Sequence, residues 1–220
     1  MVSAVIFDLD GLLSDTERLH RRAYQEVLGR RGVALTDAEY DDHWILRGRG
    51  LGDLIAGRGL DLPADALRAE KARRYSELVA AEAQPMPGAL GLLRRLRGCK
   101  RLALATSSYR EAALGVLAAL GLADCFECVG TGDDVARVKP DPELFLLVAA
   151  RMGVAPADCV VLEDSGKGIV AARAAGMRCI AVPNVHTRDH DFSQADRVVD
   201  SLDRVTLDML DGLGRPPAPR

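Results

Sequence analysis

Four short segments constrain the fold more than anything else in the chain: Ala4-Val5-Ile6-Phe7, Leu102-Ala103-Leu104-Ala105, Cys159-Val160-Val161-Leu162 and Cys179-Ile180-Ala181-Val182. In none of them do polar and apolar residues alternate. A strand with one wet face alternates with a period of two, so unbroken runs of this length imply strands buried on both faces. Phe126 to Val129 is a weaker fifth run, and Val198-Val199 a short sixth. Helical patterns fall between them, at about 88–97, 109–120, 142–152 and 166–176, and Gly121, Gly153 and Gly176 follow three of these as C-terminal stops. Strand and helix alternate, which predicts an α/β fold with a mostly parallel sheet and helices on both faces.

One interval breaks the alternation. Residues 15–84 follow the first strand and contain no convincing strand. They read as helices at roughly 17–31, 37–46, 50–57 and 64–82, the last with Leu67, Lys71, Tyr75, Leu78 and Val79 at amphipathic spacing. That is too long for a plain crossover, so a separate small helical domain is expected, closed by the stiff boundary Pro85-Met86-Pro87-Gly88. The main domain then comprises 1–14 and 85–213. The segment 214–220, rich in Pro and Arg, is expected to be disordered.

Composition removes several classes of function. Hydrophobic residues make up 48%, enough for a full core. Lys plus Arg is 29 against 32 Asp plus Glu, a net charge of −3, so no strong field favours nucleic acid or a membrane surface. No apolar run approaches the roughly 18–20 residues that span a bilayer. The start Met1-Val2-Ser3 lacks the features of a signal peptide, and a cytoplasmic, monomeric protein is expected. Five cysteines, an odd number, do not suggest a secreted disulfide framework, and the single CxxC of Cys125 and Cys128 is weak as a metal motif. His186 and His190, four apart, follow Pro183-Asn184 and read as a surface loop rather than a metal pair.

The polar residues that end the predicted strands carry the chemistry. Asp8 and Asp10 follow the first strand, and Thr106, Ser107 and Ser108 the second. Lys139 lies beyond the third, and Glu163 and Asp164 follow the fourth. In an open α/β sheet the carboxyl edge is where ligands bind, so these residues are expected to share one crevice. Four carboxylates gathered there repel one another unless a cation is present. Mg²⁺, a hard ion taking oxygen ligands, is the simplest candidate, held by Asp8, Asp10, Asp164 and Glu163. The absence of His and Cys from these segments argues against zinc. A divalent cation, a Lys and hydroxyls around an Asp suit a phosphoryl group, and hence a small phosphorylated metabolite. Asp8 is placed to attack phosphorus as nucleophile. Asp10, two residues on along an extended chain, shares its side and can act as general acid and base. Thr106, the backbone N–H of Ser107, and Lys139 would hold the phosphoryl oxygens. Each group also has a plainer reading: a turn cap for the aspartates, a helix N-cap for Thr106 to Ser108, a solvated surface residue for Lys139.

Four segments carry a family resemblance. Phe7-Asp8-Leu9-Asp10-Gly11, Leu104-Ala105-Thr106-Ser107-Ser108, Val138-Lys139-Pro140-Asp141 and Val161-Leu162-Glu163-Asp164-Ser165-Gly166 resemble, in order, the four motifs of the haloacid dehalogenase-like superfamily. The helical insert sits where that family places its cap. The resemblance implies a Rossmann-like core, a mobile cap, Mg²⁺ and an aspartyl nucleophile. The nearest branch is the β-phosphoglucomutase and sugar-phosphate phosphatase group. Asp10 sets aside the dehalogenases and phosphonatases of the superfamily, which lack the second Asp. Thr16, His20 and Arg49 are candidate cap residues. His20 resembles a position that helps align the cap with the general acid, and Arg49 is a candidate for a second anionic group of the substrate. The expected function is a phosphatase acting on a sugar or polyol phosphate through an aspartyl-phosphate. A phosphomutase is the alternative, disfavoured because Tyr109, not Lys, follows Ser108 and because Arg49 lies two residues nearer Gly48 than the mutase pattern places it. An inactive binding module on the same fold would lose Asp8, Asp10, Lys139 or Asp164, and all four are present.

Overall fold

In the computed structural model, which describes residues 2–213, the unalternating runs become neighbouring strands of one sheet. The tail 214–220 lies outside the described residues. In chain order the strands are β1 (Ala4–Phe7), β2 (Arg101–Ala105), β3 (Cys128–Gly130), β4 (Cys159–Glu163), β5 (Arg178–Ala181) and β6 (Arg197–Val198). They lie in the order β3-β2-β1-β4-β5-β6, and every pairing is parallel. Winding runs outward one way from β1 to β3 and the other way from β4 to β6. The reversal falls between β1 and β4, the point at which doubly wound sheets open a crevice at their carboxyl edge.

Helices α1 (Glu17–Gly29), α2 (Asp37–Tyr40), α3 (Leu51–Gly57), α4 (Ala64–Glu82) and α5 (Ala89–Leu96) lie between β1 and β2. Then come α6 (Arg110–Ala119), α7 (Glu143–Met152), α8 (Gly166–Ala174) and α9 (Leu207–Leu213). Ala4, Ile6, Ala103, Ala105 and Val161 share one cluster with Leu144, Phe145 and Val148 of α7 and Ile169 and Ala172 of α8. The alternate residues Val5, Phe7, Leu104 and Leu162 turn to the opposite face and are equally buried. This double burial explains the lack of alternation in the sequence. Each fully buried side chain of this size contributes roughly 1.5–3 kcal/mol.

The chain divides into two compact units: Thr16–Ala83, and the described residues on either side of it. The helical unit has its own core of Val27, Leu28, Leu35, Tyr40, Leu51, Leu54, Ile55 and Leu67. The single helix expected over 37–46 is instead α2 followed by a wide π-helical turn, Asp41–Leu46, closed by Arg47 N–H donating to Asp42 O at 3.1 Å. The widened turn coincides with an aromatic cluster in which Trp44 packs 4.9 Å from Tyr40 and 4.5 Å from Tyr24. In the sheet unit the chain segments that flank the helical unit are tied together. Asp15 N–H donates to Gln84 O, and Met86 N–H to Leu13 O, both at 2.9 Å. Among the described residues no helix is long and apolar enough to cross a membrane.

Candidate active site

Strand register builds the site. Phe7, the last residue of β1, pairs with Leu104 of β2 on one side and Leu162 of β4 on the other. The residues that follow, Asp8, Ala105-Thr106 and Glu163-Asp164, therefore emerge level with one another at the carboxyl edge. Lys139 reaches them from the loop before α7. Its Nζ donates to Asp8 Oδ1 at 2.6 Å, Glu163 Oε1 at 2.7 Å and Ala105 O at 2.8 Å, which uses all three ammonium protons. Glu163 Oε2 accepts from Ser165 N–H at 3.0 Å and Ser165 Oγ at 2.9 Å. Glu163 lies so close on α8 that a Cβ at Gly168 would stand 1.9 Å from its Cδ, so only glycine fits there. Asp8, Glu163 and Asp164 each bring a carboxylate oxygen to within 4.8 Å of the others. Asp10 lies outside that trio. Gly11 turns the chain at φ +83°, and Asp10 Oδ2 accepts from Ser108 Oγ at 2.6 Å and Thr106 Oγ1 at 3.3 Å.

The charges in this cluster do not balance. Asp8, Glu163, Asp164 and Lys139 are all buried. Burial works against the Lys139 ammonium, but the charges of Asp8 and Glu163 outweigh it and hold Lys139 above its usual value. Burial also opposes ionisation of Glu163, yet Lys139 and the Ser165 hydrogen bonds hold it below the usual carboxylate range. Asp8 and Asp164 remain in deficit. Burial, reinforced by Glu163 and Asp10 and only partly offset by Lys139, pushes Asp8 up to about 7. Burial and the charges of Glu163 and Asp8 push Asp164 well above its usual value. Two buried carboxylates that resist ionisation beside a third form an all-oxygen donor set short of positive charge. That set fits a hard divalent cation such as Mg²⁺. Both oxygens of Glu163 accept hydrogen bonds, whereas Asp8 and Asp164 are each seen to accept at one oxygen.

A family model for haloacid dehalogenase-like hydrolases matches residues 2–176, which span every element of this site except the loop after β5. The chain belongs to that family. Among similar proteins, CbbY of Rhodobacter capsulatus is 36% identical over 207 residues, covering 89% of this chain and 91% of the relative. The fructose-1-phosphate phosphatase YqaB of Escherichia coli is 37% identical over 186 residues, covering 82% of this chain and 96% of its own. A variant of CbbY from Rhodobacter sphaeroides, solved in complex with xylulose-(1,5)bisphosphate, superposes with a TM-score of 0.83 at 33% identity. It covers 93% of this chain and 96% of that one.

Within this hydrolase, the structure brings Asp8, Lys139, Glu163 and Asp164 into one cluster and Asp10, Thr106 and Ser108 into an adjoining one. Thr106 is buried, and its Oγ1 also accepts from Ser108 N–H at 3.0 Å. Among the described residues Ser107 Oγ is buried with no hydrogen-bond partner, an unsatisfied donor next in sequence to Thr106. Thr16, His20 and Arg49 belong to the helical unit. Thr16 is buried at the start of α1. The His20 ring stacks on Tyr75 with centroids 3.9 Å apart, and its Nδ1 lies 2.6 Å from Lys71 Nζ. Arg49 lies exposed in the segment before α3, its N–H donating to His43 O at 2.9 Å.

The sequence placed Ser108 in the crevice without a specific role and gave Asn184 no place there. Ser108 stood inside a quoted motif, and its hydroxyl was a legible signal. Asn184 carried none: it read as loop punctuation after Pro183, yet its Nδ2 donates to Asp164 Oδ2 at 2.8 Å. The nearby histidines are not a pair on a helix face. They lie in a turn, and His190 Nδ1 accepts from Gly166 N–H at 3.2 Å.

Proposed function

We propose that this protein is a Mg²⁺-dependent phosphatase that hydrolyses a small phosphorylated sugar or polyol through an aspartyl-phosphate on Asp8. The observation that carries the reading is the division between the two carboxylates of the first motif. Asp8 sits in the charge-poor cluster with Lys139 and Asp164, while Asp10 is held apart by the hydroxyls of Ser108 and Thr106. This division supports the assignment of nucleophilic attack to Asp8 and of proton transfer to Asp10.

In this reading an Asp8 carboxylate oxygen attacks phosphorus and the ester P–O bond breaks. Asp10 gives its proton to the leaving oxygen. Asp10, now a carboxylate, takes a proton from the water that attacks the phosphoryl group, and inorganic phosphate leaves as Asp8 is regenerated. Lys139 neutralises phosphoryl charge, and Thr106 Oγ1, Ser107 Oγ and the Ser107 N–H are the donors assigned to the phosphoryl oxygens. Asp8 and Asp164 would hold a Mg²⁺ ion, which would supply neutralisation of the charge on the transferring group.

The substrate class rests on the relatives. One is named a fructose-1-phosphate phosphatase, and a structural neighbour was solved with a sugar bisphosphate. The resemblance assigns choice of substrate to the helical unit acting as a cap, through Thr16, His20 and Arg49. The phosphatase is favoured over the mutase because exposed Tyr109 stands where the mutase pattern has Lys.

The test is a panel of pentose and hexose phosphates with Mg²⁺, followed by phosphate release and by coupled detection of glucose 6-phosphate. Phosphate release that is lost on chelation supports the reading. Isomerisation outpacing release replaces it with the mutase, and no turnover of any panel member overturns it.

A further inference from the structure

We propose that Asn184 is the positioning residue for Asp164, and that it sets the affinity of the cluster for a divalent cation. The inference rests on the metal site assigned above. It concerns a residue beyond the four motifs, in the loop that follows β5.

Every polar group of Asn184 is engaged. Its Nδ2 donates to Asp164 Oδ2 at 2.8 Å and to Gly11 O at 3.0 Å. Its Oδ1 accepts from His186 N–H at 2.7 Å, and its own N–H donates to Thr187 Oγ1 at 3.1 Å. Its carbonyl accepts from Arg188 N–H at 3.0 Å. The amide is thus locked in one orientation, with both side-chain protons aimed at the site. Among the described residues, Asn184 is the side chain seen to hydrogen-bond the Asp164 carboxylate, whereas Glu163 beside it accepts from two side chains and one backbone N–H. An added Cβ at Gly11 would stand 2.5 Å from Asp164 Oδ2 and 2.7 Å from Asn184 Nδ2, so these three groups meet in direct contact. A single neutral amide therefore joins the turn that carries Asp10 to the carboxylate that follows Glu163.

The chemistry of the donor matters. An amide directs the carboxylate without neutralising it, so Asp164 stays available to a cation. A Lys or Arg at this place would satisfy the carboxylate and compete with the metal. Partners of this kind, which orient a ligand from outside the coordination sphere, typically change metal affinity 10–100-fold.

A plainer role would be to hold the loop down. The loop has other ties, however. Val182 N–H donates to Glu163 O at 2.7 Å, Gly166 N–H donates to His190 Nδ1 at 3.2 Å, and Thr187 is buried. Loss of the Asn184 amide should leave these in place.

The experiment measures Mg²⁺ binding by titration calorimetry, and Mn²⁺ binding by electron paramagnetic resonance, without substrate. It compares the wild type, Asn184→Leu, Asn184→Ala and Thr187→Val, with melting temperatures taken in chelator. Both Asn184 variants should raise the cation dissociation constant about 10–100-fold. Thr187→Val, which loosens the loop without touching Asp164, should change it less than about threefold. Either Asn184 variant suffices if the other does not fold. Affinity within about twofold of wild type in a folded Asn184 variant overturns the inference, as does an equal loss in Thr187→Val. If the wild type binds Mg²⁺ but hydrolyses no sugar phosphate, the phosphatase reading fails alone. If it binds neither cation, both fail.

Discussion

Carboxylates at the sheet edge and carboxylates on the helical unit meet cations at the same distances, but the two sets are balanced differently. On the helical unit, Glu26 is shared by Arg22 and Arg74, and Glu70 by Arg30 and Arg31, all at 2.5–2.9 Å and partly open to solvent. Each of these two acids has two guanidinium partners. At the sheet edge one ammonium serves Asp8 and Glu163, and Asp164 stands beside them with an amide for company. In water a surplus of either sign is screened and changes little. In a buried cluster a surplus of negative charge is a standing cost that a cation or a chemical step relieves. The helical unit's pairs are surface chemistry, and the edge cluster carries an imbalance that a bound cation would relieve.

Four substitutions or conditions test that contrast. Asp8→Asn should have the largest effect, lowering phosphate release from p-nitrophenyl phosphate at least about a thousandfold while circular dichroism stays unchanged. Retained turnover would remove Asp8 as nucleophile. Lys139→Met strands Asp8 and Glu163 without their shared cation and should destabilise the protein by about 3–5 kcal/mol in urea unfolding. A loss below about 1 kcal/mol would reduce the cluster to the rank of an exposed pair.

The third test is pH. Asp8 and Asp164 are raised by folding, so the folded state binds their protons more tightly than the unfolded chain does. Stability in chelator should therefore fall as pH rises through the window from about 4 to about 7, and Mg²⁺ should flatten that slope. Glu26 has the opposite sign. The hydrogen bond from Arg74, followed by that from Arg22, holds it below its usual value against burial. Its contribution is present at neutral pH and is lost only as pH falls below about 4. A chelated protein whose melting temperature does not rise between about pH 8 and about pH 6 would show that the edge carboxylates carry no surplus. Glu26→Gln should have the smallest effect, costing about 1 kcal/mol or less and leaving turnover unchanged.

Much of this contrast was legible in the sequence because position along a strand is a one-dimensional property. Asp8, Thr106 and Glu163-Asp164 each end an apolar run, and parallel strands in register bring such ends level. The α/β alternation and the long helical interval were equally visible as pattern. What was not legible depends on three-dimensional accidents of side-chain reach. That Glu163 is occupied by Lys139 and Ser165, while Asp164 is not, follows from rotamers that leave no trace in spacing. Asn184 contacts Gly11 across 173 residues, from a loop with no periodicity. The π-helical turn at Asp41–Leu46 was hidden because a widened turn shifts register by one residue inside an otherwise helical pattern.

The ladder between Leu13-Ser14-Asp15 and Gln84-Pro85-Met86 has a consequence for how such molecules diversify. Both ends of a 68-residue module, Thr16–Ala83, leave the sheet through one narrow paired ribbon. Exchanging that module for another demands only two splices, a few ångströms apart, with the reactive rim left as it was. On the proposed reading, in which the helical unit selects the substrate, selectivity and reactivity would be inherited separately, and chimaeras joined at the ribbon would carry new preferences on an unchanged engine.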